Sequence, residues 1–128
     1  MVNQLKKVLI IDDDTDLREI FSSTMELDGY KVIQAENGKV ALECLQQLDA
    51  NAYPDCIVLD LMMPVMDGNS FLKALNSPQG ERFNHIPVVI CSGFGVYGDS
   101  AQIFKKLEKP VQLETLFRTV EEAIHIAG

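Results

Sequence analysis

The chain has 128 residues, 47% of them hydrophobic and 23% charged, with a formal net charge of -8. That length suits one domain with its own core, and that balance excludes a disordered polyelectrolyte. The acidity argues against direct nucleic-acid binding, which needs clustered Lys and Arg. The longest apolar runs fall far short of the ~20 residues of a membrane span, so no membrane insertion is expected.

The opening segment runs from Lys6-Lys7 through "VLII" to Asp12, too short for a signal-peptide core of about 7–15 residues. "KVLII" (7–11) suits a strand covered on both faces. Leu17, Ile20, Phe21, Thr24 and Met25 then recur at helical spacing, and Asp28-Gly29 ends that helix. "YKVIQA" (30–35) alternates like an edge strand. Ala41, Cys44, Leu45 and Leu48 mark the inner face of a second helix. "CIVLD" (56–60) is the third strand, and Gly68, Phe71, Leu72 and Leu75 mark the third helix. "IPVVICS" (86–92) is the fourth strand, and a short run near 103–107 is the fifth. The last helix carries the stripe Leu113, Leu116, Phe117, Val120, Ala123, Ile124 and Ala127. Cys44, Cys56 and Cys91 are an odd number among apolar neighbours. Buried free thiols in a reducing cytoplasm are expected, not disulfides or a metal cluster.

Strand and helix alternating in this way predict an α/β fold over residues 1–128 as a single domain. The expected architecture is a five-stranded parallel sheet, doubly wound, with helices on both faces. In open sheets of this type ligands bind at the carboxyl ends of the strands. The first strand ends in Asp12-Asp13, the third in Asp60, the fourth in Ser92, and the fifth leads into Lys109-Pro110. Three gathered carboxylates resist ionising together unless a cation intervenes. A hard ion such as Mg2+ suits them and would neutralise an incoming phosphate. One carboxylate can then act as nucleophile and form an acyl phosphate. The Lys109 ammonium and the Ser92 hydroxyl suit the oxygens of a phosphoryl group in transfer.

Taken together, "VLIIDDD" (8–14), "DLMMPVMDG" (60–68), "PVVICSG" (87–93) and "EKPV" (108–111) resemble the receiver domain of two-component response regulators, a CheY-like family. The resemblance implies the flavodoxin-like strand order 2-1-3-4-5. It implies that Asp60 accepts a phosphoryl group from the phosphohistidine of a sensor histidine kinase or a phosphotransfer protein. It further implies a Mg2+ (or Mn2+) ion held directly by Asp13 and Asp60, through water by Asp12, and by the backbone carbonyl of Met62. Ser92 and Lys109 would contact the phosphoryl group, and a cis peptide is expected at Lys109–Pro110. Such a protein is a signalling phosphoacceptor in the cytoplasm, not an enzyme acting on a separate substrate, and it switches a surface read by an unknown downstream protein.

Two alternatives stand beside this reading. A degenerate receiver would bind a partner without phosphorylation, although the full set Asp12, Asp13, Asp60, Ser92 and Lys109 argues against it. "IIDDDTD" also faintly resembles a small aspartate-nucleophile phosphatase, but Asp16 departs from that motif and Asp60 would lack a purpose. Asp14 is read as a helix start and Asp67-Gly68 as a turn into the third helix. His85 and His125 are read as structural.

The interval between Ser92 and Lys109 departs from the family. Its "GFGVYGD" disfavours helix, so a shortened or absent fourth helix is expected. The family's switch aromatic falls on Lys106, with Tyr97 or Phe104 as substitutes. Residues 93–105 are expected to order around Ser92 on phosphorylation. Met62 and Phe94, both bulky and apolar, are expected to shield the phosphoryl group from water. The chain stops just after its last helix, so a stand-alone receiver or a piece of a larger regulator or hybrid kinase is expected.

Overall fold

A computed structural model describes residues 5–61, 63, 66–93 and 102–127. Its elements follow the expected alternation: β1 (Lys7–Ile11), α1 (Thr15–Leu27), β2 (Lys31–Ala35), α2 (Gly38–Gln47), β3 (Cys56–Asp60), α3 (Gly68–Leu75), β4 (Val88–Ser92), β5 (Ile103–Glu108) and α4 (Leu113–Ala127). Single 3-10 segments at Ala50–Ala52 and Pro78–Phe83 complete the connections into β3 and β4. All strand pairs are parallel, in the order β2-β1-β3-β4-β5. The expected helix between β4 and β5, shortened or absent, falls on residues 94–101, which lie outside the described residues, as do Phe94 and Tyr97.

The period of two along each strand divides the core into two layers. Leu9, Ile11, Ile57, Leu59 and Ile90 pack under α2 and α3 against Ala41, Leu45, Phe71 and Leu75. Val8, Ile10, Val58, Val89 and Cys91 pack on the opposite face against Phe21 and Met25 of α1 and Leu116, Val120 and Ala123 of α4. Every residue of β3 and β4 is buried, as the continuous apolar runs require for strands covered on both sides.

Three helices start by the same device. Asp14, Asn37 and Asp67 each accept a hydrogen bond from the backbone N–H three residues on, at 3.1, 2.9 and 2.8 Å. These side chains satisfy donors that helix geometry leaves unpaired. The readings of Asp14 and Asp67 as helix starts therefore hold. Gly29, with φ of 93°, ends α1 as its sequence position suggested.

The helical stripes were wider on paper than in the fold. Leu17 and Ile20 are about half exposed, and α1 instead buries Phe21, Ser22 and Met25. This helix lies over β1 and β2, near the sheet edge, where only a narrow strip meets the strands. Leu113 is likewise exposed on the first turn of α4. In α2 the inner face includes Leu42, whereas Cys44 is only half-buried, so the expectation of three buried thiols holds for Cys56 and Cys91 alone.

Gly68 is required by close packing. A Cβ there would lie 2.6 Å from Leu61 Cδ2, 2.7 Å from Leu61 Cα and 2.9 Å from the Asp60 carbonyl oxygen. Two of those three atoms are backbone at the end of β3, so α3 can begin this close only without a side chain. Gly68→Ala is expected to destabilise the protein by about 1–3 kcal/mol through overpacking, although Ala improves helix propensity by about 1 kcal/mol. Chemical denaturation measures it, and a variant as stable as the parent would refute the packing argument.

Candidate functional site

The carboxyl edge of the sheet brings together the residues that the strand ends foretold. β1 and β3 are adjacent, so Asp12 and Asp13, just past β1, stand beside Asp60 at the end of β3. Carboxylate oxygens of all three lie within 4.8 Å of one another. Asp60 is the deepest, with 3% of its side chain exposed, and Lys109 reaches it at 3.2 Å from Nζ to Oδ2. Lys109 is carried there by the strand next to β4: its N–H donates to the Ser92 carbonyl at 2.8 Å. Its peptide with Pro110 is cis, as the resemblance implied. Ser92 is buried at the end of β4, one residue past Cys91, which pairs in register with Asp60. The carbonyl of Met62 lies outside the described residues.

Electrostatics follow from this crowding. Burial, followed by the charges of Asp60 and Asp13, pushes the Asp12 carboxyl up from 3.8 to about 6, against the opposing pull of the Asp14 N–H and Lys109. Partial burial pulls the Lys109 ammonium down, but the charge and hydrogen bond of Asp60 outweigh it and hold it above the ordinary lysine value. A donor set of three carboxylates, one deeply buried and one harder to ionise than usual, fits a hard divalent cation. Apolar walls adjoin the pair. A cavity of about 410 Å3 is lined by Ile10, Phe21, Val58 and Leu116 together with Asp60 and Lys109. Such walls lower the local dielectric and strengthen the Asp60–Lys109 attraction.

Other candidates stay outside the site. Burial pushes the Cys91 and Cys56 thiols up to about 12, so neither is a reactive thiolate near neutral pH. His85 is exposed and lines a separate cavity with Asp55 and Pro87 before β4 begins, and His125 is exposed in the last turn of α4. Lys106 is exposed on β5, while Phe104 packs half-buried against the layer under α1 and α4.

One residue escaped the sequence reading. Arg18, one turn into α1, donates from Nη1 to the Asp12 carbonyl at 2.7 Å and from Nε to Gln34 Oε1 at 3.0 Å. The available signal was a cation in the opening turns of a helix, where the dipole disfavours positive charge.

Comparison with known proteins agrees with this geometry. Residues 8–121 match the family described as the response regulator receiver domain. The transcriptional regulator RpaA of Synechocystis is 34% identical over 121 residues, covering 91% of this chain and 48% of that protein. A probable transcriptional regulator of Porphyra purpurea, ycf27, is 33% identical over 95 residues, or 74% of this chain and 35% of its own. The chain thus spans about a third to a half of the length of these relatives. Among solved structures, CheY4 of Vibrio cholerae superposes with a TM-score of 0.78 at 30% identity, covering 94% of this chain and 99% of that one. A CheY-like receiver protein of Methanospirillum hungatei gives a TM-score of 0.81 at 22% identity, covering 97% of each chain. The sheet order, the carboxylate-bearing strand ends and these likenesses agree, and the chain belongs to the response regulator receiver domain family.

Proposed function

We propose that this chain, as one domain over residues 1–128, accepts a phosphoryl group on Asp60 in a cation-dependent reaction and thereby switches a surface read by another protein. The observation that carries the proposal is the Asp60 carboxylate, 3% exposed at a strand end, with two further carboxylates within 4.8 Å and the Lys109 ammonium at 3.2 Å. The donor is the phosphohistidine of a sensor histidine kinase or of a phosphotransfer protein. Its P–N bond breaks as a P–O bond forms to an Asp60 carboxylate oxygen, and the imidazole leaves.

Each neighbour has a task in that transfer. Asp12, Asp13 and Asp60 hold Mg2+ (or Mn2+), with the Met62 carbonyl as a further ligand. The bound ion supplies positive charge that offsets the repulsion between the carboxylates and an incoming phosphate. Lys109 exchanges its contact with Asp60 for one to a phosphoryl oxygen, keeping its charge throughout. Ser92 donates its hydroxyl to another oxygen. The chain turns over no separate substrate, so it is a switch and not an enzyme in the ordinary sense. Its free thiols suit the reducing cytoplasm. DNA binding, which the name of RpaA assigns to that protein, is not proposed for these 128 residues.

The direct test is intact mass after incubation with acetyl phosphate and Mg2+. A single labile phosphoryl adduct is expected, absent from Asp60→Asn and absent without the divalent cation. No adduct under any condition, with no cation binding, would replace the proposal by a phosphorylation-independent binding module.

The raised Asp12 carboxyl sets a pH dependence. Without a divalent cation, the folded state holds the Asp12 proton more tightly than the unfolded chain, so stability falls as pH rises from 3.8 to about 6. A bound cation needs that carboxylate ionised and reverses the preference. The rise in melting temperature on adding Mg2+ is therefore expected to grow between about pH 5 and about pH 7. Thermal melts with Mg2+ and with a chelator measure it; a pH-independent increment would show that Asp12 takes no part in binding the ion.

A further inference from the structure

A helix carries partial positive charge at its N-terminus, which makes a cation in its opening turns unfavourable. α1 nevertheless places Arg18 four residues after its cap, Asp14. Helical side chains lean toward the N-terminus, so this one reaches back over the end of β1. There its guanidinium makes the two hydrogen bonds described above, to the Asp12 carbonyl and to Gln34. Gln34 lies on β2 in register with Ile10, two residues before Asp12.

The remaining contacts of Asp12 show what this grip completes. Its N–H donates to the Ala35 carbonyl at 3.1 Å, which leaves its own carbonyl beyond the last rung of the β1–β2 ladder. Arg18 supplies the donor for that carbonyl. The Oδ1 atom of Asp12 accepts the Asp14 N–H at 2.9 Å. The residue is thereby held at its amide, its carbonyl and one carboxylate oxygen. Of these three restraints, the carbonyl bond is the one supplied by a side chain.

We propose that Arg18 is a positioning residue for the cation site: by bridging the Asp12 carbonyl and Gln34, it holds the Asp12–Asp13 peptide where its carboxylates meet Asp60. The inference rests on the cation reading above and adds a residue to it. Arg18 contacts no carboxylate in these bonds, so it acts through the backbone. A planar guanidinium can serve two acceptors at once, whereas a lysine ammonium on a flexible stem does not fix the same fork.

The sign of the effect separates positioning from simple electrostatics. Removing a positive charge near a cation site strengthens divalent binding by Coulomb's law alone. Releasing the Asp12 peptide weakens it, and outer residues that orient metal ligands commonly change affinity by about tenfold or more. Geometry and charge thus predict opposite outcomes.

Mn2+ titration of the full chain, followed by water-proton relaxation, reads the affinity directly. Arg18→Met, which keeps the apolar stem, is expected to weaken Mn2+ binding about tenfold. Arg18→Lys is expected to weaken it as well, despite its retained charge. The Mg2+ concentration giving half-maximal phosphorylation by acetyl phosphate should rise in parallel. Thermal melts of the metal-free proteins report whether each variant folds. If Arg18→Met does not fold, Gln34→Met leaves the arginine in place, removes its second anchor and should still weaken binding several-fold. Equal or tighter Mn2+ binding in a folded Arg18→Met, or wild-type affinity in Arg18→Lys, would overturn the inference alone. A wild-type chain that binds no Mn2+ would overturn the cation reading and this inference with it.

Discussion

The structure is organised around a concentration of negative charge that the sheet cannot relax. Asp60 is nearly inaccessible to water, and Asp12 and Asp13 are held against it by the pairing of β1 with β3. Buried carboxylates are tolerated when paired or coordinated and are costly otherwise. Among the described residues, the Lys109 ammonium contacts Asp60, while the nearby Arg18 guanidinium is bonded to the Asp12 backbone rather than to a carboxylate. Part of the remaining charge is removed by holding the Asp12 proton toward higher pH. The rest invites a divalent ion. Rigid strands, tight helix starts and a lysine fixed by its own backbone all serve to keep this imbalance in place.

The connections show the same economy of means. β1 and β2 are each followed, after no more than three intervening residues, by a helix capped by an Asx side chain, and α3 starts on the same kind of cap at Asp67. Gly68 lets α3 begin against the Asp60 carbonyl, and Arg18 bridges the end of β1 and the side of β2. The backbone around the carboxylates is therefore held mostly by contacts other than the carboxylates, Asp12 Oδ1 with its bond from the Asp14 N–H being the exception. Phosphorylation of such a site replaces the carboxylate's single charge by the roughly -1.5 to -2 of a phosphoryl group at neutral pH, which deepens the demand for compensation.

How much of this was legible in the sequence depended on which physical rule governed each residue. Buried parallel strands announce themselves as continuous apolar runs, so β1, β3 and β4 were readable almost residue by residue. Their terminal Asp residues, and Ser92 and Lys109, then fell on one edge by topology alone. Helical stripes were less reliable because exposure depends on where a helix sits on the sheet. Leu17 and Ile20 share the period of Phe21 yet face outward, since α1 covers the region near the edge. On β5 the register shifts between Val88 and Val89 of its neighbour, an irregularity that no periodicity foretold. Arg18 showed only as a cation misplaced in the opening turns of a helix, because it serves a backbone carbonyl, and backbone partners leave no mark in the identity of the residue they belong to.

The exposed apolar residues and the charged cluster are also related. Leu17 of α1 and Leu113 of α4 line the same cavity as Asp60 and Lys109. Most of the wall of this cavity is apolar, so the ion pair is screened less than at an open surface. Neutralising or adding charge at Asp60 therefore changes the balance at Lys109 more than it would on a flat exterior. The Lys109 backbone is bonded to Ser92, so the ammonium reaches Asp60 from a fixed point at the junction where β4 ends and β5 leads into α4. The carboxylate at the end of β3 and the end of β4 are in this way joined through one residue, Lys109, by its side chain and its backbone.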